Sequence, residues 1–368
     1  PLSCIIPMTN TTSTQSSRRL RFERIPMRRI ILIVLSVSII YGVVAGSTAT
    51  LRTGVFSAED WQSLFINGLA RGSVYALIAI GYTLVYGILF MINFAHGEVF
   101  MAGVYTAYFV AVAFAGNGFL NDNPLLSIAI LLLISMTVSV SIAVLLERLA
   151  YRPLRGAPRL VPLITAIGAS FFLQYTFRGL YGANVRAYPN IEVLNGKWTI
   201  FGIEMLKTQA IVIVAAVVLW ILLYLFVART KTGRSMRAVG EDREIASLMG
   251  INVDRTIVAT FAIGGALAGA AGILYVFLFN QVIFTMGFLP GIKAFTAAVL
   301  GGIGSITGAA LGGLLLGILE AVGPNLFLTG AEIPSPNQLQ PVIAFGILVL
   351  VLIFLPGGFV GASEEKRA

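Results

Sequence analysis

Residues Ile211-Val212-Ile213-Val214-Ala215-Ala216-Val217-Val218-Leu219-Trp220-Ile221-Leu222-Leu223-Tyr224-Leu225-Phe226-Val227 carry no charge and no strongly polar group. A helix needs about 20 such residues to cross the hydrocarbon layer of a membrane. A transmembrane β-barrel would instead show segments of about ten residues that alternate in polarity. Working outward, similar runs occur at 30–46, 71–92, 97–115, 125–146, 161–181, 209–228, 256–279, 292–300, 306–322 and 339–356. Ten runs in 368 residues leave short connections and no room for a separate soluble domain. Composition agrees, with 57% hydrophobic residues, 11% charged residues and a mean hydropathy of +0.90. A soluble domain would carry about 25% charged residues. The expected fold is all-α: a polytopic helical membrane protein of about eight to ten membrane segments, some re-entrant or broken.

The same composition excludes several function classes. One cysteine, Cys4, rules out a disulfide framework, and one histidine, His96, rules out a multi-histidine metal site. No glycine-rich segment ends in Gly-Lys-Ser/Thr, so the chain itself is not expected to bind ATP. Neither Gly-x-Ser-x-Gly nor His-Glu-x-x-His occurs, and no enzyme is expected. The net charge is +9, but the basic residues lie between apolar runs and form no stripe for nucleic acid.

Their placement orients the chain instead. With a cytoplasmic N-terminus and ten alternating crossings, 18 of the 25 Lys and Arg fall in inner segments. The outer side keeps Arg52, Arg71, Arg178, Arg186, Lys197, Lys207 and Lys293. Such an excess is what the positive-inside rule requires.

Three regions follow. Residues 1–59 are an N-terminal extension in which the Ser/Thr-rich stretch 9–17 is expected to be disordered. Met27, followed by Arg28, Arg29 and an apolar run, opens either an uncleaved signal-anchor or a signal peptide. Ala45, Gly46, Ser47 and Ala49 would suit cleavage. Residues 60–361 are the membrane domain, and 362–368 a cytoplasmic tail. The spans from first to fifth and from sixth to tenth are offset by an odd number of crossings, so any internal repeat must be inverted.

Polar groups within apolar runs need a reason. The densest cluster is Asn93-Phe94-Ala95-His96-Gly97-Glu98. One reading is a tight, self-satisfied turn at the cytoplasmic edge. The other is a helix break serving as gate or translocation pathway, with Asn93, His96, Gly97 and Glu98 as its residues. Gly301, Gly302 and Gly304 break the run 292–322 into two segments, the first re-entrant. Gly264, Gly265, Gly269 and Gly272, like Gly308, Gly312 and Gly313, place small residues for close helix packing. The loop 229–255 is too long for a plain connector. Within it 243–248 reads as a short amphipathic helix with Ala246, Met249 and Ile245 on one face. Its partner is either anionic lipid or another protein.

The blocks Asn67-Gly68, Gly72-Ser73-Val74-Tyr75-Ala76-Leu77 and Ile92-Asn93-Phe94-Ala95-His96-Gly97-Glu98 resemble the LivH-type permeases. These are membrane subunits of ABC importers for branched-chain amino acids. The resemblance continues through Tyr151-Arg152-Pro153-Leu154-Arg155, Ala246-Ser247-Leu248-Met249-Gly250, Lys293-Ala294-Phe295-Thr296 and Leu355-Pro356-Gly357-Gly358. It covers 60–361. It implies an inner-membrane subunit that pairs with a second, related permease, two cytoplasmic ATPases and an extracytoplasmic solute-binding protein. It implies no cofactor on this chain, with ATP and Mg on the ATPases. It also implies a coupling helix, in which Glu244, Ala246 and Gly250 match the family pattern while Ile245 replaces the middle alanine. Permeases for urea, short amides or other amino acids share the Ala95-His96-Gly97-Glu98 type of block. An ion-coupled transporter or channel acting alone would need buried acids, for which Glu98, Glu147 and Glu320 are the candidates.

The charge pattern predicts that 148–159 and 229–255 face the cytoplasm and 182–207 the opposite side. Single cysteines introduced at Ser235 and Asn195 should react with an impermeant maleimide from opposite sides. Labelling from one side alone would contradict the topology.

Overall fold

The structure is a computed structural model and describes residues 27–158, 160–200, 202–355 and 357–360. The stretch 9–17 and the tail 362–368 lie outside the described residues. The chain divides into two units, Pro1–Ala45 and Gly46–Ala368. Helix α1 (Met27–Thr53) begins in the first and covers the run 30–46. The second unit carries everything below.

There α1 is followed by α2 (Ala58–Leu89), α3 (His96–Gly116), the single turn α4 (Phe119–Asp122) and α5 (Pro124–Leu146). Next come α6 (Leu160–Tyr181), strands β1 (Arg186–Ala187), β2 (Lys197–Ile200) and β3 (Ile203–Leu206), and α7 (Lys207–Arg229). The long loop holds α8 (Lys231–Glu241) and α9 (Arg243–Leu248). Then follow α10 (Val253–Phe279), β4 (Gln281–Val282), α11 (Phe288–Gly301), α12 (Ile306–Gly323) and α13 (Gln340–Phe354). Among the described residues eight helices are long and apolar enough to cross a membrane: α2, α3, α5 with its continuation to Leu154, α6, α7, α10, α12 with its continuation to Leu328, and α13 with the turn before it. The chain is a multi-pass helical membrane protein.

Two boundaries differ from the apolar runs. Helix α2 starts at Ala58 and not near 71, because Ser57 and Asp60 form a capping box. The Ser57 hydroxyl accepts from the Asp60 amide at 3.2 Å, and the Asp60 carboxylate accepts from the Ser57 amide at 2.9 Å. Arg71 therefore lies inside the helix, where it donates to Gln340 Oε1 at 3.1 Å. Helix α11 has 14 residues, about 21 Å of rise, against a hydrocarbon core of about 30 Å. The non-helical stretch 280–287 supplies the rest of the path from Asn280 on one face to Leu300 on the other, so the segment is broken and not re-entrant. Lys293, expected on the outer side, sits within α11 and pairs with Glu320 of α12 at 2.5 Å.

Contacts define two faces. Arg155 reaches Asp254 at 2.5 Å, which joins the end of α5 to the start of α10. Gly240 of α8 packs on Gly87 near the end of α2, and Phe359 pairs with Leu300 near the end of α11. All these groups share one basic face. On the opposite face Tyr105 meets Gly182, Tyr188 meets Asn280, and β1 pairs antiparallel with β4.

The small residues act as spacers. A Cβ at Gly72 would lie 2.8 Å from the Leu314 carbonyl, so α2 and α12 touch backbone to backbone. A Cβ at Gly269 would lie 2.6 Å from the Ser135 carbonyl, and Ser135 donates to the Gly269 carbonyl at 2.7 Å. Lipid gives apolar helices little reason to associate, so close packing and such interhelical bonds supply it. The glycines of 264–272 and 308–313 are packing residues.

Candidate functional site

Helix α2 ends on the basic face at Phe90, which adopts the left-handed conformation with φ 54° and donates its amide to Tyr86 at 2.8 Å. The chain then turns back inward without helix until α3 begins at His96. The His96 ring meets Tyr82 edge-on, with centroids 4.8 Å apart, and lies against Gly81, where any side chain would collide with the imidazole. Gly81 precedes the end of α2 by eight residues, about 12 Å of helix. The segment is thus a plug that enters the bundle, not a turn at its edge. Asn93, His96 and Glu98 are each no more than 2% exposed.

Nor is the segment self-satisfied. Tyr151, in a π-helical turn after α5, donates its hydroxyl to Asn93 Oδ1 at 2.6 Å. On α6, Gln174 Nε2 donates to Glu98 Oε1 at 2.7 Å and the Ser170 hydroxyl at 3.3 Å. Glu98 Oε2 and His96 Nε2 are buried without a hydrogen-bond partner. A buried orphan of this kind costs about 1–3 kcal/mol. Among the described residues no basic side chain pairs with Glu98, whereas Glu147 pairs with Arg155 and Glu320 with Lys293.

Gly97 meets the other irregular segment. Its backbone lies against Gly287, immediately before α11, and a Cβ at Gly291 would sit 3.0 Å from Gly97 Cα. The stretch before Gly287 repeats the first break in the opposite sense. Helix α10 ends at Asn280, left-handed at φ 52°, as α2 ends at Phe90. Each cap is followed by a short irregular segment and a helix start, and the two starts touch. This is the pairing an inverted arrangement of halves would give.

The second candidate region lies on the basic face. Asp242 caps α9, its Oδ1 accepting from the amides of Glu244 at 2.8 Å and Ile245 at 2.9 Å. Ala246 is buried, while Ile245, Leu248 and Met249 are 59%, 86% and 78% exposed. The face expected to unite Ala246 with Ile245 therefore divides, since adjacent residues on a helix point about 100° apart. Glu244 is exposed, and Gly250 has φ +82°, with the Ile251 amide closing on the Ala246 carbonyl at 3.0 Å. Helix α8 was not foreseen; Gly233, Met236 and Val239, at helical spacing, are its signal and its buried side. Desolvation lowers the Arg243 pKa from the ordinary arginine value. Among the described residues no three His, Cys, Asp or Glu gather as metal ligands.

A helical bundle in which two broken helices meet tip to tip has the build of a membrane transport subunit. Residues 64–352 match the family described as "Branched-chain amino acid transport system / permease component", and the chain belongs to that family. It is 45% identical over 305 residues to the "High-affinity branched-chain amino acid transport system permease protein BraD" of Pseudomonas aeruginosa, covering 82% of this chain and 96% of that protein. It is 41% identical over 311 residues to the similarly described LivH of Escherichia coli strain K12, covering 83% and 97%. The resemblance read from the sequence motifs is borne out.

Tyr151→Phe should strand Asn93 Oδ1 in the core and destabilise the chain by about 1–3 kcal/mol. Thermal unfolding in detergent should show it as a lowered midpoint. The exposed Tyr175→Phe serves as control and should leave the midpoint unchanged.

Proposed function

We propose that this chain is the transmembrane permease subunit of an ABC importer and forms part of the pathway for branched-chain, aliphatic neutral amino acids. It lies in the cell inner membrane with its basic face and both termini cytoplasmic. Its partners are a second, related permease, two ATPases that hold ATP and Mg, and an extracytoplasmic solute-binding protein. The observation that carries this reading is 45% identity across nearly the whole length of a permease described for those substrates. The excess of Lys and Arg on one face supports the orientation.

The chain performs no bond chemistry in this reading. ATP binding draws the ATPases together, and α8–α9 carry that movement into the bundle as a rigid-body change. Glu244 and Gly250, with exposed Ile245, Leu248 and Met249, form the docking surface, and Ala246 anchors it from within. Segments 90–98 and 280–291 form the gate, with Asn93, His96, Gly97 and Glu98 on one side of the seam. A segment with few backbone bonds bends at less cost than a helix. Opening would give Glu98 Oε2 and His96 Nε2 the partners they lack in the closed arrangement. The largely apolar walls suit a zwitterion with no net charge, which fixed charges would not retain.

Tagging this chain should recover two ATPases and a second permease. Gly250→Arg should leave the chain inserted but abolish substrate-stimulated ATP hydrolysis in proteoliposomes with saturating binding protein. Gly250→Asn, which tolerates the left-handed conformation, separates bulk from backbone strain and should retain most of that activity. Wild-type activity in Gly250→Arg would remove the loop from the mechanism.

A further inference from the structure

The end of α2 is held by a helix to which it has no covalent link nearby. Arg243 Nη2 donates to the Ile88 carbonyl at 2.5 Å, across 155 positions of sequence. One turn earlier in the loop, a Cβ at Gly240 would lie 2.7 Å from the Gly87 carbonyl. The last four carbonyls of a helix have no partner within it. A guanidinium placed there satisfies one of them and is favoured by the helix dipole. Two residues beyond Ile88 the helix stops at Phe90, the buried plug follows, and six residues later His96 opens α3.

Movement of α9 has other routes into the bundle. It is joined through Gly250 to α10 and through α8 to α7, both by the main chain. Both of those helices pack on α2, and Gly240 of α8 lies on Gly87, but Arg243 is where α9 itself holds the last turn of α2. A cavity of about 360 Å³ lies between Thr83, Gly87, Met236, Gly240 and Ile303, beside the contact of α8 with α2. The plug beyond is fixed at separate points, by Tyr151 on Asn93 and by Gln174 on Glu98. A pull on the α2 end therefore strains the chain between Phe90 and the fixed Asn93 and does not carry the plug along passively.

We propose that Arg243 is a positioning residue through which α9 acts on this helix break. Its guanidinium ties the first residue of α9 to the last turn of α2 and passes a shift of α9 to residues 90–95. The inference rests on the docking role of α8–α9 given above. Arginine suits the task because its planar fork is held in one orientation, whereas a lysine ammonium swivels on a flexible stem.

The test uses the assembled complex in proteoliposomes, with Arg243→Ala and Arg243→Lys, and with Ala95→Cys in a Cys4→Ser background as reporter. Ala95 is fully buried, so its labelling reports opening of the break. With Arg243→Ala the ATPases should still co-purify, while the ratio of binding-protein-stimulated to basal hydrolysis falls roughly tenfold, within the range of ordinary couplings between sites. The nucleotide-dependent change in labelling at 95 should be lost, and Arg243→Lys should fall between. A wild-type ratio and labelling change in Arg243→Ala would overturn the proposal. So would loss of the ATPases from that variant, which would make Arg243 a docking contact. If Arg243→Ala fails to insert, the reporter in the otherwise native chain decides: labelling at 95 that ignores nucleotide overturns the proposal. Failure of the docking reading is separate, since it shows as normal stimulation in Gly250→Arg.

Discussion

Lipid offers no hydrogen bonds, so backbone that leaves a helix within a membrane must find its partners in protein. The structure meets this demand at two places, 90–95 and 280–287, and much of the bundle is arranged around them. In the first, the amides of His96 and Val99 close on Asn93 and Ala95 at 3.0 and 3.1 Å, and Tyr151 covers the Asn93 side chain. In the second, β1 lends its edge to β4, the Tyr188 amide donates to Asn280 at 2.9 Å, and the Met286 amide closes on Ile283. Glycine at 97 and 287 lets the two re-entering ends meet without side chains between them.

Each break is gripped from one face. The first is reached from the basic face by Arg243, and the second from the opposite face by the segment that carries β1 and Tyr188. Helix α11 hangs from the second break and is braced by the Lys293–Glu320 pair, with the Tyr75 hydroxyl 3.5 Å from the same Glu320 oxygen. A buried ion pair adds little net stability, yet removing one partner costs about 3–5 kcal/mol. Such a brace fixes where α11 sits more than it strengthens the fold. The arrangement would let events on either side of the membrane bear on one seam, the contact of Gly97 with Gly287.

The membrane class, most spans and the polar cluster at 93–98 were legible because charge and hydropathy act locally along the chain. Partners of that cluster were not, since Tyr151 and Gln174 lie 58 and 76 residues away from the groups they serve. Spacing along one helix cannot reveal a neighbour on another. Lys293 was misplaced for the same reason, because its counter-charge is 27 residues further on. The start of α2 was missed because apolar runs mark membrane contact and not helix ends; the Ser57–Asp60 capping box was the signal to use. Helix α8 and the β2–β3 hairpin lie in polar connections, where hydropathy is silent. Gly202 at φ +80°, between Lys197–Ile200 and Ile203–Leu206, was the hairpin's mark.

The central claim is that the two breaks move together while the long helices stay whole. Hydrogen–deuterium exchange on the assembled complex, nucleotide-free and trapped with ATP and vanadate, addresses it directly. The account predicts that amides in 90–98 and 280–291 change their exchange together on trapping, while the α2 and α10 interiors keep theirs. Unchanged exchange in both segments in a complex that traps nucleotide and transports normally would contradict it.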